Sequence, residues 1–135
     1  FDLSNMTVVR GETGWIVIDP LTGVEVADAA MELVNSTLGE RPVSAVIYSH
    51  SHADHFGGVR GVVDQAEVAA GRTQVIAPEG FMDEATSENV IAGGAMLRRA
   101  AFQFGTGMVP GPTGQMGSGI GTAVSGGTLS LIAPT

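Results

Sequence analysis

The sequence contains no cysteine and no lysine. Without cysteine there is no disulfide bond and no thiolate-bound zinc, so any metal ion must be held by histidine and carboxylate side chains. The 6 basic residues, all arginine, are outnumbered by 14 acidic residues, which gives a net charge of -8. Such a charge is not attracted to nucleic acids or to anionic membranes. We therefore predict that the protein does not bind nucleic acid.

Long hydrophobic runs are also absent. No apolar stretch approaches the roughly 18 residues that a membrane-spanning helix needs, and residues 1–4 do not resemble a signal segment. We therefore expect a soluble protein with no membrane span. A chain of 135 residues of which 44% are hydrophobic can bury one core. We interpret residues 1–135 as one domain or as part of one.

The first half of the sequence predicts a hairpin, a helix and a buried strand. Two β-rich runs, 6–11 and 15–20, are separated by a short glycine-containing segment, which is the pattern of a β-hairpin. Over 25–38, apolar residues recur at every third or fourth position, so we predict an amphipathic helix that covers one face of a sheet. The nearly continuous apolar run 44–49 is typical of a strand with a layer on each side.

The second half continues the alternation of helices and strands. The predicted elements are a helix over 59–71, a strand over 73–78, a helix that begins at Ser87 or Asn89 and ends near Gly105, a glycine-rich excursion loop over about 105–127, and a strand over 128–133. Mixed strands and helices of this kind indicate a layered α/β (α+β) architecture.

All 3 histidines of the chain lie within one six-residue segment, directly after the strand predicted over 44–49. This segment, which we call the metal-binding motif, contains His50, His52, Asp54 and His55. Neutral imidazole and carboxylate groups are the ligands that zinc uses when cysteine is absent. A solvated polar loop is the alternative interpretation, but it does not explain why every histidine is found here.

The spacing of the motif predicts a centre with two metal ions. If the chain leaves the strand extended, His50 and His52 project to the same side and can share one metal ion. Asp54 and His55 follow in a turn and can bind a second. Two such ions lower the pKa of a bound water and stabilise both oxygens of a hydrolytic displacement. We predict a hydrolase in which Asp54 is catalytic.

Each metal ion needs at least one more protein ligand, and the chain has no further histidine. The missing donors must therefore be carboxylates of this chain or residues beyond position 135. The carboxylates that cluster after the motif are Glu79, Asp83, Glu84 and Glu88, although acidic residues are also common where helices begin.

Other residues near the motif have candidate roles. Asp19 ends a predicted strand and can accept a hydrogen bond from a ligand histidine, although Asp before Pro also makes ordinary turns. Gly57 and Gly58 leave room for the chain to turn past the metals. Arg98 and Arg99 are weak candidates for binding an anionic substrate, because arginines on helices are usually solvated.

The metal-binding motif and its flanking segments resemble one family. His-x-His-x-Asp-His after an apolar strand is similar to the signature of the metallo-β-lactamase superfamily. The alkylsulfatase branch is the branch that the flanking sequence resembles. The matching segments are 2–7, 14–21, 49–58, 77–81, 87–90, 98–100 and 131–135.

The resemblance implies more than the residues do by themselves. It implies an αββα sandwich that is incomplete in this chain, two Zn²⁺ ions per complete active site, and hydrolysis of small alkyl sulfate esters to alcohol and sulfate. It also implies a longer protein in which two glutamates and a histidine downstream complete the ligand set and in which the chains form a dimer. A bacterial periplasmic or secreted location is a further implication.

The substrate remains open within this resemblance. Gly94 stands where the branch is expected to have Asn, and Phe102 and Phe104 stand near an expected Tyr. Hydrolysis of a lactam, a thioester or a phosphodiester is therefore the alternative enzyme activity. An inactive metal-binding fragment is the non-enzymatic alternative.

Overall fold

The structure is a computed structural model that describes residues 2–114 and 127–135. Its centre is a sheet of four strands in the order β1-β2-β3-β4. These are β1 (Thr7–Arg10), β2 (Trp15–Ile18), β3 (Val43–Ile47) and β4 (Gln74–Ile76). Strands β1 and β2 are antiparallel, whereas β2, β3 and β4 run parallel to one another. The predicted hairpin and the strands predicted over 44–49 and 73–78 are confirmed.

Helices and short helical turns connect the strands. The α-helices are α1 (Val24–Leu38), α2 (Gln65–Ala69), α3 (Phe81–Thr86) and α4 (Gly93–Phe104). Two 3-10 turns (Ala53–His55 and Val59–Gly61) precede α2, and a π-helical turn (Ser87–Ile91) lies between α3 and α4. Among the described residues, no helix is both long enough and apolar enough to cross a bilayer.

Valines of neighbouring strands lie side by side on one face of the sheet. Val17 of β2 is paired with Val46 of β3, which is paired with Val75 of β4. All three side chains are completely buried. Met31 of α1 packs on this face against Trp15 and Val17. The pleat places alternate residues on opposite faces, so these strands bury one face in a common core.

The other face of the sheet is less well covered than the sequence indicates. Ile16, Ile18, Ala45 and Ile47 point to this side and are only partly buried, and Ile76 is 45% exposed. The prediction of a layer on each side of β3 is therefore wrong for the part of the chain that the structure describes. Apolar composition reports that a side chain can be buried, and does not report what covers it.

Helix α1 forms where the sequence predicts it, but it buries only some of its apolar residues. Ala27 and Met31 are buried and Val34 packs beside them, at the spacing of one helical face. Leu33 and Leu38 are 67% and 64% exposed. Apolar residues occupy more than half of the circumference of this helix, so their periodicity does not determine its rotation. Close contacts with the segment after the motif determine it instead.

The single helix predicted over 59–71 is wrong. The chain forms a 3-10 turn and then, after Asp64 in an extended conformation, the short helix α2. The reason is the close approach of Gly61 to α1, where a Cβ atom on Gly61 would lie 2.1 Å from the carbonyl oxygen of Val24. This contact holds the turn flat against α1 and prevents a continuous helix.

The last predicted helix begins earlier than its sequence pattern indicates. The chain is helical from Phe81, and Ser87 and Asn89 lie inside the helical segment in the π turn rather than at its N-cap. Phe81 and Ala85 are buried in the core and hold the first turn in place. Gly105, with φ of 64°, ends α4 in the left-handed conformation that favours glycine.

The predicted strand over 128–133 is also wrong. This segment makes single hydrogen bonds to different elements instead of a ladder. The N–H of Ser130 donates to the carbonyl of Gly57 at 2.7 Å, and the N–H of Thr135 donates to the carbonyl of Val75 at 2.9 Å. Of the predicted loop over 105–127, residues 105–114 form turns, and residues 115–126 lie outside the described part of the chain.

The close packing of Gly58 yields a test of the fold. A Cβ atom there would lie 2.2 Å from the carbonyl oxygen of Pro20 and 2.7 Å from the Cβ of Ala27. Gly58→Ala must push these backbones apart, so we expect it to lower the free energy of unfolding by about 1–3 kcal/mol, measured by urea denaturation. Gly93→Ala is the control, because its Cβ would meet nothing within 4 Å. Equal stability of the two variants would contradict the packing described here.

Tyr48 yields a second test. Its ring is 1% exposed, and its hydroxyl donates a hydrogen bond to the carbonyl of Ile132 at 3.0 Å. Tyr48→Phe keeps the ring but leaves that carbonyl without its donor, so we expect a loss of about 1–3 kcal/mol in the free energy of unfolding. Hydrogen exchange should also become faster over residues 130–135. Unchanged exchange there would mean that Tyr48 does not hold this segment.

Candidate metal centre

The metal-binding motif lies at the C-terminal edge of the parallel strands. Parallel pairing continues past the end of β3, since the N–H of Tyr48 donates to Ile76 at 2.9 Å and the N–H of Asp19 donates to Ile47 at 2.9 Å. The extended residues after β3 therefore start from a fixed position. The first 3-10 turn begins three residues after His50 and brings His55 back towards it. Clefts at this edge are where ligands bind in many parallel sheets.

His50 and His52 face each other through the nitrogen atoms that a shared metal ion would use. The Nε2 atom of His50 is 3.0 Å from the Nδ1 atom of His52. Two ligand atoms on one tetrahedral zinc ion, each about 2.0–2.1 Å from it, lie about 3.3 Å apart. Only a small separation of the two rings would therefore place both nitrogens on one ion.

Asp54 and His55 form a second pair of donors. The Oδ2 atom of Asp54 is 3.3 Å from the Nε2 atom of His55, and both side chains are about one-fifth exposed, at 20% and 22%. The rings of His50 and His55 are adjacent, with centroids 4.1 Å apart. The four side chains of the motif thus form two neighbouring pairs.

The donor set fits a metal centre that is only partly built. Among the described residues, no three His, Asp or Glu side chains converge on one point where an ion could bind. Each pair supplies two donors, whereas a zinc site normally uses three or four protein ligands. Nitrogen and carboxylate donors at the distance of neighbouring ligands are nevertheless the chemistry that divalent zinc accepts. The assignment of these four residues as ligands stays a prediction.

Asp19 connects β2 to both ends of the motif. Its Oδ1 accepts the N–H of Ser49 at 2.7 Å, and its Oδ2 accepts the Ser49 hydroxyl at 2.7 Å. The same Oδ2 lies 2.9 Å from Nδ1 of His55. Burial alone would raise the pKa of the Asp19 carboxyl, but the hydrogen bonds from Ser49 and His55 hold that pKa below its ordinary value. Of the two roles considered for Asp19, the structure shows the contact with a histidine of the motif.

The hydroxyl of Ser49 connects Asp19 to His50. The Ser49 hydroxyl is 2.9 Å from Nδ1 of His50. Since the hydroxyl proton is donated to Asp19, the oxygen accepts a proton from His50, and Nε2 of that ring keeps its lone pair. Burial, together with the rings of His55 and His52, lowers the pKa of His50. This favours the neutral imidazole that metal binding requires.

The N-terminal residues hold the loop from the other side. The Asp2 carboxylate accepts hydrogen bonds from the N–H and the hydroxyl of Thr22, at 2.7 Å and 2.8 Å. The Ser4 hydroxyl donates to the backbone carbonyl of Asp54. The residue types alone do not predict a function for these positions. The match of 2–7 to the alkylsulfatase branch was the signal that pointed to them.

Of the four carboxylates considered as further ligands, Glu88 alone reaches the motif within the described chain. Its Oε1 is 3.1 Å from Nε2 of His52. Glu79, Asp83 and Glu84 are exposed at or near the start of α3. Within the described residues, three of the four candidates therefore make no hydrogen bond or ion pair with the motif.

Arg98 and Arg99 are exposed on α4. Neither forms a hydrogen bond or an ion pair with the motif within residues 2–114 and 127–135. Their role in binding a substrate stays a prediction, and it would require an anion that reaches the outer surface of this helix.

The Asp19 contacts predict how the motif responds to substitution. Asp19 has φ of 56°, a conformation that Asn and Gly tolerate. Asp19→Asn keeps one side-chain oxygen that can accept a hydrogen bond, whereas Asp19→Gly removes both acceptor oxygens. We expect hydrogen exchange over residues 48–56 to be faster in Asp19→Asn than in the wild type and fastest in Asp19→Gly, measured by mass spectrometry. An equal rate in all three proteins would show that the carboxylate does not order the motif.

Comparison with known proteins identifies relatives along the whole chain. The sequence profile of the Metallo-beta-lactamase superfamily matches residues 1–129. A linear primary-alkylsulfatase of Pseudomonas sp is 52% identical over 135 residues, which are 100% of this chain and 20% of that enzyme. An alkyl/aryl-sulfatase of Saccharomyces cerevisiae is 48% identical over 134 residues, covering 99% of this chain and 21% of the yeast protein.

The fold has the same relatives. The solved structure of a stereoselective inverting sec-alkylsulfatase from Pseudomonas sp. superimposes with a TM-score of 0.87 at 45% sequence identity, and the match covers 98% of this chain and 21% of that one. This chain therefore spans about one fifth of the length of the relatives that it matches. The predicted fold class, a metallo-β-lactamase-like α/β fold that is partial in this chain, is confirmed. With a matching profile over nearly its full length and a matching fold, the chain belongs to the metallo-β-lactamase superfamily.

Proposed function

We propose that this chain is part of a zinc-dependent hydrolase that cleaves alkyl sulfate esters to an alcohol and sulfate. The observation that carries the proposal is the pairing of donors, His50 with His52 and Asp54 with His55, at the edge of the sheet. The reaction class comes from the relatives, which are named alkylsulfatases and are about half identical to this chain. Membership of the superfamily alone would leave the substrate open.

The proposed ligand assignment follows the two pairs. His50 and His52 hold one ion through Nε2 and Nδ1, and Asp54 and His55 hold the other through Oδ2 and Nε2. Zinc suits these nitrogen and oxygen donors better than magnesium or calcium, which prefer all-oxygen sites. When bound, two zinc ions supply a water of lowered pKa and neutralise negative charge on the ester oxygens. The remaining ligands come from outside the described residues.

The residues of this chain contribute position and proton transfer. Asp19 and Ser49 keep Nε2 of His50 and Nε2 of His55 unprotonated by accepting the protons on their Nδ1 atoms. Asp54 is the one carboxylate of the motif, so it is the group there that can accept a proton from the reacting water. We propose Asp54 as the catalytic residue on this ground.

The first experiment measures zinc and turnover in the full-length protein. We expect close to two zinc ions per chain after dialysis against a weak chelator, and release of sulfate from dodecyl sulfate. Asp54→Asn should lower kcat at least about 100-fold, since the amide cannot accept the proton. Asp28→Asn is the matched control, because Asp28 is exposed on α1, and it should leave both values unchanged.

The alternatives are outcomes of the same experiment. Two zinc ions with turnover of a lactam, a thioester or a phosphodiester, but not of dodecyl sulfate, would replace the substrate and keep the centre. Fewer than two zinc ions with no turnover of any of these would overturn the proposal and favour an inactive metal-binding protein. The dimer implied by the family resemblance is tested separately by the mass of the full-length protein in solution.

A further inference from the structure

Glu88 contacts His52 at the ring nitrogen that faces away from His50. Its Oε1 atom is 3.1 Å from Nε2 of His52, and the Glu88 side chain is 23% exposed whereas that of His52 is 55% exposed. The other ring nitrogen, Nδ1, faces Nε2 of His50 at 3.0 Å. The His52 ring therefore lies between a carboxylate on one side and the neighbouring histidine on the other.

The two contacts require that one ring nitrogen of His52 carries a proton and that the other does not. A neutral imidazole carries one proton, so one nitrogen donates and the other accepts or binds a metal. A carboxylate can only accept, which places the proton of His52 on Nε2 and leaves the lone pair on Nδ1. Nδ1 is the nitrogen of the pair with His50. With a metal ion between the two rings, this is the form of His52 in which both histidines present lone pairs to the same point.

The packing of α3 explains why Glu88 is in this position. Phe81 and Ala85 are each 4% exposed and bury one face of the helix in the core. Residues three and four positions after Ala85 continue that face, and these are Glu88 and Asn89. The Asn89 side-chain N–H₂ donates to the carbonyl of Ser51 at 3.2 Å and to that of Ala85 at 2.8 Å. The helix is therefore attached to the motif beside His52.

The backbone that carries Glu88 is also irregular. Residues Ser87–Ile91 form a π turn that directly follows α3. Such single π turns are frequent at functional sites. Glu88 lies in the first turn of this π segment, as Glu84 lies in the first turn of α3, but Glu84 is exposed. Glu88 lies beyond the end of α3 and makes a specific contact with the motif.

We propose that Glu88 is a positioning residue that holds His52 in the tautomer that binds metal through Nδ1. The proposal rests on the proposed metal centre and adds to it a residue that acts through a ligand and is not itself a ligand. Its contact with the outer nitrogen of His52 distinguishes this role from direct coordination, for which the carboxylate would have to reach the side of the ring that faces His50. The Asp19–His55 contact has the same chemistry on the other metal pair.

The test compares zinc affinity in variants of the full-length protein. We expect Glu88→Ala to weaken zinc binding about 10- to 100-fold, measured by competition with a chromogenic chelator, as is usual when a partner of a ligand histidine is lost. Glu88→Gln retains an oxygen that can accept from Nε2, so we expect it to recover most of the affinity. Glu84→Ala is the control, since Glu84 is an exposed glutamate one helical turn earlier, and it should bind zinc as the wild type does.

A double-mutant cycle separates positioning from a general structural effect. If Glu88 acts through His52, then Glu88→Ala should cause no further loss of affinity when it is combined with His52→Ala. The visible absorption of the cobalt-substituted protein should change in Glu88→Ala and be restored in Glu88→Gln. A structural role would reduce affinity in the His52→Ala background as well, and would overturn the proposal.

The remaining outcomes separate this proposal from the proposed function. Glu88→Gln as defective as Glu88→Ala, with one zinc ion lost, would mean that Glu88 is itself a ligand. Zinc bound equally tightly by wild type and Glu88→Ala would overturn the role of Glu88 and leave the metal centre intact. Failure of the wild-type protein to bind zinc would overturn the proposed function itself.

Discussion

The geometry of the metal-binding motif depends on the hydrogen bonds that the carboxylate of Asp19 accepts. This carboxylate stands directly after β2 and accepts hydrogen bonds from Ser49, before the first histidine, and from His55, the last one. The motif is thus closed into a loop whose two ends meet on one side chain of a neighbouring strand. Burial of that carboxylate costs free energy, and three donors offset the cost. Parallel pairing of β2 with β3 brings the two strand ends together.

The second constraint is the absence of side chains just after the motif. A Cβ atom on Gly57 would lie 2.2 Å from the carbonyl oxygen of Thr22, and one on Gly58 would lie 2.2 Å from that of Pro20. Backbone therefore packs directly on backbone between the motif and the start of α1. This contact fixes the rotation of α1, which in turn buries Ala27 and Met31. Glycine is needed here for close approach, because neither residue has a positive φ.

The sequence predicted those features that depend on neighbouring residues in the chain. The histidines of the motif are contiguous, and the strands around Val17, Val46 and Val75 have a local apolar pattern. The features that it did not predict depend on contacts between distant segments. The face of α1, the break in the helix predicted over 59–71 and the irregular segment 128–133 are all set by such contacts. Apolar periodicity cannot report them, because it records only which residues can be buried.

The same distinction applies to the residues that contact the candidate ligands. A ligand must be His, Asp or Glu, whereas a residue that orients a ligand needs only one oxygen in the right place, and Ser49, Asp19 and Glu88 each provide one. In the proposed metal centre, these contacts fix which ring nitrogen carries the proton before a metal ion binds. An ion that binds such a loop needs to separate two facing donors and does not need to reorder the chain, which lowers the free-energy cost of binding. Under the proposed function, the oriented pairs therefore favour metal binding even though each pair supplies only part of a complete ligand set.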